Sequence, residues 1–159
     1  MIRELRKEDI EEVVKIYEEA KAFMIEHDNL TQWDDNYPSK SIVLEDIKNN
    51  HGYVIIDNEK IVGVFALIFG IDPTYIEIDG KWLNDNPYGT IHRIAGKTNS
   101  KGILKEAVDY ALTKIDNVRI DTHDDNYVMK NALSKLGFKK CGIIKVADGS
   151  SRIAYQLTK

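Results

Sequence analysis

Residues 90 to 104 read Thr90-Ile-His-Arg-Ile-Ala-Gly-Lys-Thr-Asn-Ser-Lys-Gly-Ile-Leu104, an apolar strand that runs through a short polar turn into a helix. The first amides of a helix have no partner inside the helix, and the helix dipole favours negative charge at that end. Such a junction predicts a binding site for a phosphate or pyrophosphate group. The alternative interpretation is an ordinary helix start that Asn99 or Ser100 caps.

The composition is typical of one globular domain, which we expect to span residues 1–159. Hydrophobic residues make up 43% of the chain and charged residues 30%. The net charge is -4 and the basic residues are scattered, which argues against nucleic acid or a membrane surface as a partner. Because no apolar run approaches the about 18 residues of a membrane span and no signal peptide is evident, we expect a cytoplasmic protein.

Hydrophobic spacing predicts the order of the elements. Helical spacing appears over residues 8–26, over a shorter segment that ends near 49, after residue 102, and before Gly137. Apolar runs predict strands at 2–6, 53–56, 61–69, 90–95, 118–122, 138–146 and 152–157. The resulting order, β-α-α-β-β-β-α-β-α-β-β, predicts an α/β fold of the α+β type, with a mixed, mostly antiparallel sheet and helices on both faces.

This order and two segments resemble the GNAT superfamily of acyl-CoA-dependent N-acetyltransferases. One segment is the junction at 94–104, and the other reads Asp125-Asn-Tyr-Val-Met-Lys-Asn-Ala-Leu-Ser-Lys-Leu-Gly-Phe138. In the second segment Asn126 opens a helix, and Leu136-Gly137-Phe138 ends it before a strand. The resemblance covers nearly the whole chain and implies a GNAT-like fold.

The resemblance also implies acetyl-CoA as cofactor. In this superfamily the strand before the junction bulges and separates from the next strand, and the pantetheine arm lies in the gap. The backbone of Ile94 and Ala95 would then bind pantetheine, with Asn126 close to the cofactor. The residues around the pyrophosphate would be Asn99, Ser100, Lys101, Gly102, Ile103 and Leu104. Asn99 and Leu104 depart from the usual family pattern, whereas Gly102 keeps it.

The implied reaction is direct transfer of an acetyl group to a primary amine of a small molecule or peptide within a ternary complex. A protonated amine must lose a proton before it attacks, so we consider three candidate bases: His92, Asp121 and His123. His92 has the alternative interpretation of a hydrogen-bonded structural residue. Leu133 stands where many family members place a tyrosine acid, and Tyr127 is the candidate substitute. The histidines show no repeated ligand spacing, so we expect no metal site.

Two loops are candidates for the acceptor site. Residues 27–39 contain Trp33, Asp34, Asp35 and Tyr37, and residues 72–88 contain Tyr75, Glu77, Asp79, Trp82 and Asp85. Carboxylates beside aromatic rings suit a cationic amine such as a polyamine, an aminoglycoside, an amino acid or a peptide N-terminus. We therefore consider Trp33, Tyr37 and Trp82 as substrate-binding residues. The alternative is that these rings only anchor long surface loops.

The sequence is also compatible with a function of another class. Leu104 and Leu133 are compatible with a non-catalytic GNAT-like domain that binds CoA or an acyl-CoA as a sensor. The terminal hairpin could also form a homodimer through an exposed strand edge.

Overall fold

One eight-stranded sheet, in the order β1-β2-β3-β5-β6-β8-β7-β4, organises the protein. The computed structural model describes residues 1–34 and 36–159, so Asp35 of the candidate acceptor loop lies outside the described residues. The strands are β1 Ile2–Glu4, β2 Gly52–Asp57, β3 Lys60–Phe69, β4 Asp79–Gly80, β5 Gly89–Gly96, β6 Asn117–Thr122, β7 Lys139–Lys145 and β8 Ser151–Thr158. The helices are α1 Ile10–Glu26, α2 Lys40–Lys48, α3 Ile103–Leu112 and α4 Tyr127–Lys135.

The pairing confirms the predicted mixed, mostly antiparallel sheet. β5 and β6 pair in parallel, and the other adjacent strands pair in antiparallel fashion. The short strand β4 belongs to the insert at 70–88 and pairs with β7, where Asp79 faces Ile143 and Gly80 faces Gly142. It therefore covers part of the edge through which the terminal hairpin could meet a second copy.

Successive residues of a strand point to opposite faces of the sheet, and in the central strands both sets are apolar. Helices therefore cover both faces. On one face Phe65, Leu67 and Ile91 pack with α3 and α4. On the other face Val64 and Ala95 pack with α1. The helix predicted over residues 8–26 is α1, which begins at Ile10 after a short 3-10 turn at Lys7–Asp9.

The insert at 70–88 is fixed by its aromatic residues. Tyr75 is buried, and the Trp82 indole Nε1 donates to its carbonyl at 2.9 Å. The Arg119 guanidinium lies between the rings of Trp82 and Tyr88, at 4.0 and 3.9 Å from their centroids. The Arg119 contacts hold the insert against β6, and the Leu83 amide holds it against β8 by donating to the Gln156 side-chain oxygen at 3.2 Å.

None of the helices within residues 1–34 and 36–159 has the length and apolar character needed to cross a membrane. In the same described part of the chain, no three or more His, Cys, Asp or Glu side chains form a group that could hold a metal ion.

The buried face of α4 gives a test of the packing. Leu133 is fully buried in the core against β6 and β8, whereas Val128 of the same helix is 48% exposed. We expect Leu133→Ala to lower the free energy of unfolding by about 2–5 kcal/mol, because it leaves a cavity. The control Val128→Ala should change it by less than about 0.5 kcal/mol. Denaturant unfolding measures both values, and a loss below about 1 kcal/mol for Leu133→Ala would contradict this packing.

Candidate active site

A β-bulge in β5 creates the space for the site. Val64 of β3 faces Ala95, but Ala66 faces His92, so Arg93 and Ile94 stand in the bulge without a register partner on β3. Arg93 adopts a positive φ of 51° there. Adjacent residues of a regular strand point to opposite faces, but at this bulge both His92 and Arg93 line one cavity.

β5 also separates from β6 next to the bulge. Their parallel pairing covers only two positions, Gly89 with Val118 and Thr90 with Arg119. Beyond Thr90 the strands diverge, and a cavity of about 470 Å³ lies beside the gap. Its apolar wall consists of Ile91, Ile94, Ile120, Met129 and Val146. The widening that the family resemblance implies is therefore present in this sheet.

His92 and Asp72 form a pair inside the cavity. The His92 Nε2 lies 2.9 Å from the Asp72 Oδ2, and both side chains are largely buried. Asp72 also accepts from the Thr74 amide at 2.9 Å and the Thr74 hydroxyl at 2.7 Å. Burial tends to raise the pKa of Asp72, but the hydrogen bonds from His92 and Thr74 outweigh it and lower the pKa to about 2. When Nε2–H donates to Asp72, Nδ1 is the ring nitrogen able to accept a proton.

Asp121 lies at the end of β6 and also lines the cavity. Its Oδ2 accepts a hydrogen bond from the buried Tyr75 hydroxyl at 2.7 Å. Burial raises the pKa of Asp121, while the charge of His92, the Tyr75 hydrogen bond and the charge of Arg152 act in the opposite direction. Asp121 is therefore a carboxylate that a cationic group in the cavity would stabilise in its charged form.

Arg93 fixes the bulge to α2 and to the candidate acceptor loop. Its Nε and Nη2 donate to the two carboxylate oxygens of Asp46 at 3.1 and 2.7 Å. Its Nη1 donates to the Tyr37 hydroxyl at 3.1 Å, and its carbonyl accepts from the Tyr17 hydroxyl at 2.9 Å. Burial, above all, raises the pKa of Tyr37. A bidentate ion pair of this kind sets the position of both partners.

The loop before α2 closes the cavity through Gln32. The Gln32 side-chain oxygen accepts from the Asn29 and Asn126 amides at 2.9 and 3.0 Å and from the Thr122 hydroxyl at 3.2 Å. Asn126 is at the same time the cap of α4, since its Oδ1 accepts from the Met129 amide. The loop is thereby attached to the ends of β6 and α4.

The turn at 97–102 is open at the start of α3. Gly102, with a φ of 73°, is the cap residue, and no side chain caps the helix. The alternative in which Asn99 or Ser100 caps it is therefore wrong, because the Ser100 hydroxyl donates to the Lys97 carbonyl instead. Space is open around the position that a Gly102 Cβ would occupy. Leu104 packs against the core rather than into the turn. The first amides of α3 therefore have no side-chain acceptor in the part of the chain that the structure describes.

The structure brings some of the predicted residues together and leaves others apart. Lining the cavity are His92, Asp121, Ile94, Trp33 and Tyr37. His123 does not line it and contacts the Thr31 hydroxyl at 3.1 Å. Tyr127 is 63% exposed and lies beside Lys130, and Trp82 packs against Tyr75 within the insert. Ala95 points its side chain toward α1, so only its backbone is placed near the gap.

Sequence reasoning missed Asp72, Gln32 and Arg152 as cavity residues. Asp72 carries a weak signal, since an aspartate before Pro73 suits the cap of a short turn, and it is the cap of the 3-10 turn at Pro73–Tyr75. The sequence contains no such signal for Gln32 and Arg152, because their roles depend on contacts between distant segments.

Solved structures of acetyltransferases share this fold. A GNAT-family acetyltransferase from Streptococcus agalactiae 2603 is 32% identical with a TM-score of 0.90, over 100% of this chain and 95% of that chain. A protein described as an acetyltransferase from Staphylococcus aureus Mu50 is 26% identical with a TM-score of 0.72, over 99% and 98% of the two chains. A NatC complex bound to Gag peptide and CoA, at 16% identity and a TM-score of 0.63 over 100% and 98%, is similar in fold alone. No protein-family model and no curated protein matches the sequence.

The Asp72 and His92 pair predicts a pH dependence of stability. The folded pKa of Asp72, about 2, is below its ordinary value of 3.8, so the ionised carboxyl contributes stability that is present above 3.8 and lost as the pH falls through about 2. At pH 6 we expect the free energy of unfolding of Asp72→Asn to be about 1–2 kcal/mol lower than that of the wild type. Unfolding measured from pH 6 to pH 2 should show this difference shrink by at least half. A difference that stays constant over that range would contradict the pairing.

Proposed function

The chain belongs to the GNAT family of acetyltransferases, and we propose that it transfers the acetyl group of acetyl-CoA to a primary amine of a small molecule or peptide. We propose a single domain over residues 1–159 that binds both substrates in one ternary complex. The observation that carries the proposal is the cavity at the β5 bulge, which places the His92 and Asp72 pair beside the gap between β5 and β6.

The cofactor part of the proposal rests on the gap and on the open turn. Ile94 has no register partner on β3 or β6, so its backbone is available to a ligand that enters between the strands. The start of α3 has no side-chain cap, and Lys97 and Lys101 stand exposed in the same turn. We propose that Ile94 and Ala95 bind pantetheine, and that the pyrophosphate lies within the turn 99–104.

Acetyl-CoA supplies an acetyl group already activated as a thioester. In the transfer, the neutral acceptor nitrogen bonds to the acetyl carbon, the carbon–sulfur bond breaks, and the nitrogen loses one proton. An acceptor that enters protonated first loses a further proton to solvent. We propose that His92 takes up this proton at Nδ1, with Asp72 as the positioning residue that holds the ring through Nε2. A backbone amide at the bulge, at Ile94 or Ala95, would stabilise the charge on the thioester oxygen.

The departing thiolate needs little help from an acid. A thiol has an ordinary pKa of about 8.5, so its anion is a moderate leaving group near neutral pH. Leu133 is buried in the core and Tyr127 faces solvent beside Lys130. We therefore propose that water protonates the thiolate. The non-catalytic CoA-binding alternative draws its support from Leu133, whereas the His92 and Asp72 pair supports an enzyme.

The open turn at Gly102 gives the test of the cofactor site. We expect Gly102→Glu to weaken acetyl-CoA binding by at least about 100-fold, because a carboxylate would stand where the phosphates bind. Calorimetric titration with acetyl-CoA measures the change in Kd.

Gly70→Glu is the matched control. Gly70 also has a positive φ, of 102°, with open space around it. It follows Phe69, which faces Gly89, and so lies at the opposite end of β3 from the turn that follows Gly96. The Kd of Gly70→Glu should stay within about threefold of the wild type. Unchanged binding in Gly102→Glu would show that the cofactor site is misassigned.

The proposed base gives a second test. We expect His92→Ala to lower kcat/KM for acetyl transfer by about 10²–10⁴-fold, with the Kd for acetyl-CoA unchanged. His51→Ala is the control, since His51 precedes β2 and does not line the cavity. Thiol release at saturating acetyl-CoA measures both rates. A His92→Ala rate within threefold of the wild type would exclude His92 as the base.

A further inference from the structure

Arg152 is nearly buried and lines the cavity from β8. Its residue exposure is 7%. Nη1 donates to the Ser150 hydroxyl at 2.9 Å and to the Ser151 carbonyl at 3.0 Å, and Nη2 donates to the Gln32 carbonyl at 3.1 Å. A guanidinium has five N–H donors, so Nε–H and one Nη2–H have no protein acceptor among the described residues.

No carboxylate in the described part of the chain lies within ion-pair distance of Arg152, although the charge of Arg152 acts on Asp121 and Asp148 from further away. None of the ion pairs there includes it. The nearby Asp148 carboxylate accepts from the Ser150 amide at 2.9 Å, and Asp121 accepts from Tyr75. Arg93, in the same cavity, is in contrast bound by both oxygens of Asp46. A buried guanidinium that no carboxylate contacts directly is only partly compensated, and an anionic ligand in the cavity would stabilise it.

The sheet register places Arg152 and Asp121 on the same side of the sheet. Asp121 of β6 faces Ala154 of β8, and Arg152 is two residues before Ala154 on that strand. Residues two apart point to the same face, and diagonal neighbours on adjacent strands lie about 7–8 Å apart. The cavity therefore presents a carboxylate and a guanidinium that no carboxylate contacts directly, both on the same face of the sheet and on neighbouring strands.

We propose that the acceptor is a free amino acid and that Arg152 binds its carboxylate, an inference that rests on the proposed function and names the substrate of the same site. The amino group of that acceptor would point toward Asp121 and His92. A polyamine or an aminoglycoside offers no anion to Arg152, and a longer peptide has no α-carboxylate beside its N-terminal amine. Every free amino acid carries an amino group and a carboxylate on the same carbon and so matches both charges.

Matched acceptor pairs test this inference on the wild-type protein. The twenty standard amino acids and their carboxamides differ in the carboxylate but keep the amine and the side chain. With saturating acetyl-CoA and thiol release as the signal, the preferred amino acid should exceed its amide in kcat/KM by about 10- to 150-fold, the effect of a charge-assisted hydrogen bond. Equal rates for the members of every pair would overturn the proposal.

Variants at Arg152 separate recognition from a structural role. Arg152→Gln should raise KM for the amino acid and bring the ratio between acid and amide below about threefold. Arg152→Lys should retain part of the ratio because it keeps the charge. Arg3→Gln removes an arginine that pairs with Asp9 outside the cavity and should keep the full ratio. An equal loss with acid and amide in Arg152→Gln would identify Arg152 as a structural contact and overturn the proposal.

Binding without turnover distinguishes this inference from the proposed function. Calorimetric titration of the same pairs into the protein with CoA present should show tighter binding of the amino acid than of its amide, and Arg152→Gln should abolish the difference. If no amine releases thiol but this binding preference is found, acetyl transfer is wrong and the carboxylate site stands. If amides and other amines are acetylated and no preference is found, the acetyl transfer stands and the carboxylate site is wrong.

Discussion

The bulge at Arg93 and Ile94 is the constraint on which the site depends. Arg93 holds a positive φ there, which costs on the order of 1 kcal/mol or more for a residue with a side chain. The bidentate pair with Asp46 and the hydrogen bond from Tyr17 to the Arg93 carbonyl offset that cost. Because these partners come from α1 and α2, the packing of both helices determines how β5 leaves β6.

Charge pairing then organises the cavity that the bulge opens. His92 is held by Asp72 and Arg93 by Asp46, while Asp121 accepts from Tyr75. Burial of these groups is tolerable because each has a partner of suitable chemistry. The same pairs fix the orientation of the side chains in the cavity before any ligand is present.

Hydrophobic periodicity was sufficient to predict most of the fold. The order of the helices and the main strands and the end of the last helix before Gly137 follow from local patterns, and the structure agrees with them. The sequence also indicated His92, Asp121 and the turn before α3. It could not indicate that Arg152 meets the Gln32 carbonyl, 120 positions away, or that Asp72 reaches His92. Such contacts depend on how β5 bulges and how the insert packs, which no local pattern encodes.

The most direct test of the account is thermal unfolding with acetyl-CoA, with CoA, and with ATP as a control for simple nucleotide binding. A ligand at 100 times its Kd adds about 2.7 kcal/mol to the free energy of unfolding. For a chain of this length the account predicts that Tm rises by roughly 5–10 °C with acetyl-CoA and with CoA, but not with ATP. No rise with either CoA compound, or an equal rise with ATP, would contradict the assignment of the gap and the open turn as the cofactor site.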